Sequence, residues 1–137
     1  MSDLPIVKIP AVRYKGGDVE EITEPVVIEE KITLYLNGKK YLTMVATNDS
    51  LTELGAGFFV AAGIAKRILT VAVEGTDVFV EADNVACVEG VLTSSGGFEA
   101  GRKAVVSAEN ARISPDEIFA IREALNGDAW GETGGLH

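Results

Sequence analysis

No two residues constrain this chain more than Asn37-Gly38. Before them, Ile32, Leu34 and Leu36 alternate with Thr33 and Tyr35; after them, Lys39 to Thr47 can return as a partner strand. A two-residue link between antiparallel strands needs positive φ at both central residues, and Asn-Gly tolerates this best. The chain is therefore expected to build around a β-hairpin.

Its surroundings can be read the same way. Pro5 to Tyr14 suits an edge or irregular strand because of Pro10, and Lys15-Gly16-Gly17-Asp18 is a turn signal. Asp18 to Glu24 is acidic and reads as solvent-exposed, and the stretch from Val26 to Leu36 then runs into Asn37-Gly38. Ser50 and Glu53 have capping-box spacing, followed by Leu51, Leu54, Phe58, Ala61, Ala62 and Ala65 as one helical stripe. Gly55, Gly57 and Gly63 each cost roughly 1 kcal/mol of helix propensity relative to Ala. Such small residues permit a close approach to a sheet or helix, and Gly63 alternatively ends the helix. Arg67 to Glu74 and Asp77 to Ala82 read as a second hairpin about Gly75-Thr76, with Ile68, Leu69, Val71, Val73, Val78 and Val80 as core candidates.

Asp83-Asn84 reads as a turn. Val85 to Leu92 and Lys103 to Ser107 are further strand candidates. Ser114-Pro115-Asp116-Glu117 combines an N-cap, Pro at the first helical position and a capping-box Glu. Ile118, Ile121 and Leu125 form that helix's stripe with Phe119 beside it, and Asn126-Gly127 closes it. Asp128 to His137 reads as a Gly-rich tail anchored by Trp130. The sum is an α+β fold with a mainly antiparallel sheet and two main helices, in one domain over residues 1–137.

Charge and composition narrow the function. A net charge of −9 argues against nucleic acid and anionic membranes, which need a basic footprint. No apolar run approaches the ~18 residues of a membrane span, and the N-terminus lacks a signal-peptide pattern, so the expected location is the cytoplasm. The single Cys87 excludes an internal disulfide framework. One Cys and one His are too few for a typical zinc site. Glu20-Glu21 and Glu29-Glu30 are adjacent on strands and point to opposite faces, which makes them poor catalytic pairs.

Two segments remain: Thr93-Ser94-Ser95-Gly96-Gly97-Phe98-Glu99-Ala100-Gly101, and Trp130 with Thr133-Gly134-Gly135-Leu136-His137. The Ile32 to Thr47 hairpin joins them, as do Ala46-Thr47-Asn48 through Glu53-Leu54-Gly55-Ala56-Gly57-Phe58, and Gly63-Ile64. In order and spacing this set resembles the FdhD family, sulfurtransferase-type accessory proteins of formate dehydrogenase. The family's loop reads T-S-S-C-G-x-C-G, and an aromatic-x-x-T-G-G-x-H motif follows. Asn48 stands where the family has Pro, and Ala62 where it has Glu. Gly96 and Glu99 stand at the two cysteine positions, and neither can supply the thiolate a persulfide carrier needs.

The resemblance implies an FdhD N-terminal-domain-like fold, without the family's second, cytidine-deaminase-like domain. It implies a place in formate dehydrogenase maturation, where sulfur passes to a molybdenum or tungsten pterin cofactor. The cofactor implied is molybdopterin guanine dinucleotide. Its contacts would be Thr93, Ser94, Ser95, Gly96 and Gly97, with Thr133, Gly134 and Gly135. Partners implied are formate dehydrogenase or its cofactor donor, and a second copy or complementary half.

Backbone amides of a Ser/Gly loop can form an anion nest, with Arg102 and Lys103 adjacent; the other reading is a plain connection. His137 is either a near-neutral acid/base or a frayed end. Cys87, between Ala86 and Val88, is either a buried structural thiol or a substitute sulfur carrier. The expectation is a non-catalytic binding or scaffold protein. The alternatives are a residual sulfurtransferase using Cys87 and a structural relic without ligand.

Overall fold

A computed structural model describes residues 4–86, 90–93, 97–100 and 112–134. The chain divides into two compact units, one formed by Glu30–Ala111 and the other by Met1–Glu29 with Arg112–His137.

The second of these units begins with a long ribbon. Strands β1 (Ile6–Lys15) and β2 (Asp18–Val27) pair antiparallel in unbroken register from Ile6↔Val27 to Lys15↔Asp18. Gly16 and Gly17 turn between them at φ 62° and 100°, a region open chiefly to glycine. Pro10 lies opposite Thr23 within a regular strand. Both strands of a two-stranded sheet are edges, so its missing N–H is tolerated. The acidic stretch from Asp18 belongs to β2, where Arg13 and Glu20 form a cross-strand ion pair at 3.7 Å. The stretch from Val26 to Leu36 is split between β2 and the strand that follows.

The Glu30–Ala111 unit is built on a four-stranded sheet. Strands β3 (Glu29–Leu36) and β4 (Lys39–Thr47) flank the Asn37-Gly38 turn, whose φ values of 48° and 76° are those a two-residue hairpin demands. Helix α1 (Leu51–Ala61) follows, then β5 (Arg67–Glu74) and β6 (Asp77–Asp83). The sheet order is β4-β3-β6-β5. The second hairpin is as the sequence predicts, with Gly75 at φ 61°. The pairing of β3 with β6 is parallel, Thr33↔Asp77 to Leu36↔Val80, a single exception in a mainly antiparallel sheet. Asn37 locks this joint. Its side-chain Nδ2 donates to the Ala82 carbonyl at 3.1 Å, and its Oδ1 accepts from the Ala82 N–H at 2.9 Å. Its own N–H donates to the Val80 carbonyl at 2.9 Å. The turn residue thus also extends the parallel ladder.

The core lies between one sheet face and α1. Ile32, Leu34, Leu36, Leu51, Phe59, Ile64, Ala65, Val78, Val80 and Ala82 are buried together. Gly55 is the point of closest approach: a Cβ built on it would lie 2.5 Å from Val78 Cγ1 and 3.2 Å from Val80 Cγ2. Only glycine lets the helix sit this near the sheet. The buried helical positions are Leu51, Gly55 and Phe59. The stripe expected to run through Phe58 and Ala61 is therefore rotated: Phe58 packs at the margin of the core, and Ala61 is exposed. In β5, Ile68 and Val71 pack against the core; Leu69, displaced by a bulge between Ile68 and Thr70, is exposed, and so is Val73 at the far end of the strand.

The expected capping box at Ser50 does not form. Ser50 is left-handed (φ 52°, ψ 39°) without a side-chain cap bond, whereas a capping side chain needs extended backbone at that residue. Its hydroxyl instead donates to Asp49 Oδ1 at 3.4 Å. The C-terminus is closed well: Gly63 is left-handed at φ 68°, its N–H reaches the Val60 carbonyl, and the Ile64 N–H reaches that of Phe59. These two bonds define a Schellman end with Phe59 and Ile64 in its apolar contact.

Strands β7 (Gly90–Thr93) and β8 (Gly97–Ala100) form a short antiparallel pair. The strand candidate Lys103 to Ser107 lies outside the described residues. In the other unit, α2 (Pro115–Ala124) starts at the predicted capping box. The Asp128 end of the chain is not wholly a tail, since Asp128–Thr133 forms the short helix α3. The architecture is α+β.

Candidate functional site

The Thr93 to Gly101 segment is a hairpin end. Thr93 and Gly97 are register partners closing the β7–β8 ladder, above Leu92↔Phe98, Val91↔Glu99 and Gly90↔Ala100. The expected loop from Thr93 to Gly101 is thus a strand over Gly97–Ala100, and the pairing brings Thr93 beside Gly97. Ser94, Ser95 and Gly96, which connect them, lie outside the described residues, as do Arg102 and Lys103. Glu99 falls inside a strand opposite Val91, two residues in from the Thr93–Gly97 end of the ladder.

Thr133 and Gly134 stand at the end of α3, where Gly134 is left-handed at φ 70°. A side chain there would be strained, which gives the first glycine of the Thr-Gly-Gly sequence a backbone reason to exist. Gly135 and His137 lie outside the described residues, and so does Cys87. Thr93 and Gly97 belong to the Glu30–Ala111 unit, and Thr133 and Gly134 to the other.

Electrostatics single out one group. Glu117 Oε2 accepts from the Ser114 N–H at 2.7 Å and from the Ser114 hydroxyl at 2.8 Å. The Glu117 N–H donates to Ser114 Oγ at 3.2 Å. The backbone bond first and the hydroxyl bond second hold the Glu117 carboxyl below the usual carboxylate range. The N-terminus of α2 is therefore occupied by the chain's own carboxylate. A hollow at the ribbon tip is lined by Arg13, Lys15, Gly16, Asp18 and Glu20, charges of both signs that answer one another. Among the described residues, no cluster of three or more His, Cys, Asp or Glu is placed to hold a metal ion.

Asn48, at the position where the FdhD loop would carry Pro, donates through Nδ2 to Glu30 Oε2 at 2.6 Å. It ties the end of β4 to the start of β3. Sequence reasoning marks Asn48 only as a departure; the signal available was an amide and a carboxylate at matching ends of one hairpin.

Comparison with known proteins is decisive for the family. The family model for FdhD/NarQ matches residues 27–137, well over half of the chain. The chain belongs to the FdhD/NarQ family. Among curated FdhD members it is similar to a sulfur carrier protein of Shouchella clausii strain KSM-K16, 22% identical over 148 residues. It is also similar to one of Bacillus subtilis strain 168, 26% identical over 145 residues. Each comparison covers 91% of this chain and 55% of the relative, so the chain spans about half the length of the curated relatives it matches. Among solved structures it is similar to a formate dehydrogenase accessory protein from Desulfotalea psychrophila. The TM-score is 0.51 at 26% identity, over 58% of this chain and 35% of that one. No helix among the described residues is long and apolar enough to cross a membrane.

Proposed function

We propose that this FdhD-family chain serves formate dehydrogenase maturation in the cytoplasm as a binding component rather than as the sulfur carrier itself. Residues 1–137 act, on this reading, as the N-terminal functional part of an FdhD-type protein, working with a second copy or a complementary half. The observation that carries the reading is chemical. Gly96 and Glu99 occupy the loop positions where the family resemblance puts thiols, and sulfur transfer runs through a thiolate.

What the segment keeps is a set of donors. Hydroxyls of Thr93, Ser94 and Ser95 and amides of Gly96 and Gly97 suit a phosphate, as do amides of Thr133, Gly134 and Gly135. Neither run, 93–97 or 133–135, carries a carboxylate, so each by itself offers donors suited to a phosphate of molybdopterin guanine dinucleotide. Bound in its enzyme, that group supplies the redox metal; this chain would hold its phosphates.

Titration calorimetry with GDP and with the pterin dinucleotide tests this. Saturable binding that weakens in Ser94→Ala/Ser95→Ala is expected, and flat titrations with both ligands would leave only a structural role. The second reading, a residual sulfurtransferase, rests on Cys87 being the chain's single thiol. Persulfide labelling from a sulfur donor decides it. Labelling lost in Cys87→Ala would establish transfer, and no labelling of the parent chain would end that reading.

A further inference from the structure

Asn-Gly occurs twice in this chain, at Asn37-Gly38 and at Asn126-Gly127. The dipeptide has a chemistry of its own. The backbone nitrogen of the glycine gives up its proton and bonds to Cγ of the asparagine. The Cγ–Nδ2 bond breaks, and Nδ2 takes up a proton and leaves as ammonia, closing a five-membered succinimide. Water then adds to one of the two ring carbonyls and opens the ring, to aspartate through one and to isoaspartate through the other. One water enters and one ammonia leaves, with no change of oxidation state. Glycine favours the closure because it has no Cβ to crowd the attacking nitrogen.

The two sites differ in whether the asparagine amide can turn back onto the next nitrogen. At Asn37 both ends of that amide are tied to one residue of β6. Nδ2 donates to the Ala82 carbonyl at 3.1 Å, and Oδ1 accepts from the Ala82 N–H at 2.9 Å. At Asn126 the side-chain amide has no hydrogen-bond partner among the described residues. Space around the glycine does not separate the sites, since a Cβ built on either Gly38 or Gly127 would meet nothing within 4 Å. The attacking N–H of Gly127 donates to the Leu125 carbonyl at 3.1 Å, and the Asn126 N–H to that of Glu123 at 3.1 Å. Both bonds lie at the end of α2, a helix without a buried residue, and solvent-facing end bonds of this kind open locally at little cost.

We infer that Asn126 is a site of spontaneous deamidation in this protein, and that the clip on Ala82 keeps Asn37 intact. The product adds one negative charge to a chain of net charge −9. That charge falls just past the C-terminal end of α2, where the helix dipole is already negative and a carboxylate is unfavourable. The isoaspartate form also lengthens the backbone by one carbon at the residue whose N–H reaches Glu123. Ageing therefore acts on the end of α2 and spares the hairpin turn of the sheet unit. The inference stands apart from the cofactor reading, since it uses none of the residues assigned to phosphate contact.

Peptide mapping by mass spectrometry, on the full chain aged in mildly alkaline buffer, tests it. The peptide holding Asn126 should gain the mass of an amide-to-acid change and resolve into aspartate and isoaspartate forms. The peptide holding Asn37 should convert more slowly by about tenfold or more, because two hydrogen bonds must break before its ring can close. In urea, where the clip is lost, the two sites should convert at similar rates. Gly127→Ala places a Cβ beside the attacking nitrogen at a position that is open and not left-handed, so it should slow conversion at Asn126 in the folded chain. Four results would each overturn the inference: equal rates at the two sites in the folded chain, an Asn126 that converts only in urea, protection of Asn37 that persists in urea, or a Gly127→Ala chain that converts as fast as the parent.

Discussion

Helices α1 and α2 are of similar length and are stabilised in opposite ways. α1 starts on a left-handed Ser50 without a side-chain cap and contains two glycines, yet Leu51, Gly55 and Phe59 are buried against the sheet. α2 has a complete capping box, Pro at its start and acidic residues in its first turn, yet none of its residues is buried. Ile118, Ile121 and Leu125 are 52%, 51% and 72% exposed. One helix is buried against a sheet despite its local sequence, the other has complete local signals although none of its residues is buried. Helical sequence signals therefore report how a helix begins and ends more faithfully than what it packs on, since a cap involves residues three apart and a core involves residues far apart.

The comparison can be broken from the α1 side first. Phe59→Ala should destabilise the sheet unit by about 3–5 kcal/mol, read as a fall in the urea midpoint; a loss comparable to that of Ile118→Ala on exposed α2 would contradict the contrast. Gly55→Ala is next. The added methyl meets Val78 and should cost about 1–3 kcal/mol through overpacking, exceeding its gain of roughly 1 kcal/mol in helix propensity. Gly57→Ala has open space around its Cβ and should stabilise by a similar propensity gain. Opposite signs for these two substitutions in one helix would sharpen the point.

On the α2 side, Ser114→Ala should cost about 1 kcal/mol of local helix stability, visible as faster amide exchange through residues 115–118 with little change in the sheet. Its pH counterpart follows from Glu117. A carboxyl held below its unfolded value stabilises α2 above the ordinary carboxylate range, and that contribution is lost as pH falls through the depressed value. Amide exchange in the first turn of α2, corrected for its intrinsic pH dependence, should therefore lose protection on acidification, and Glu117→Gln should flatten the dependence. The smallest effect is expected at Ser50. With no cap bond to lose, Ser50→Ala should change stability by less than about 0.5 kcal/mol. A loss as large as that of Ser114→Ala would mean its hydroxyl caps α1 after all.

Less of the candidate segments was legible. Thr93 to Gly101 reads as one loop, yet Thr93 and Gly97 pair and Gly97–Ala100 is a strand, and the left-handed backbone of Gly134 was not foreseen; a short Gly-rich stretch carries too weak a strand signal to mark either. The family was readable from motif order, because spacing along a chain survives substitution of the cysteines. Asn48 was not legible as a contact, since its bond to Glu30 spans a hairpin whose far end no short motif marks.

By itself the sequence determined both hairpin turns of the sheet unit, the Gly63 helix end, the α2 start and membership of an FdhD-like pattern. All of these rest on backbone φ requirements and bonds within a few residues. Only the tertiary structure decided that β6 enters beside β3 in parallel, that Asn37 clips Ala82, that Phe59 rather than Phe58 fills the core, and that Gly55 is the contact point. Each depends on partners about 20 to 45 residues away, whose positions are set by the closure of the whole sheet. A helix also shows several faces to a reader of sequence but buries only the one the sheet selects.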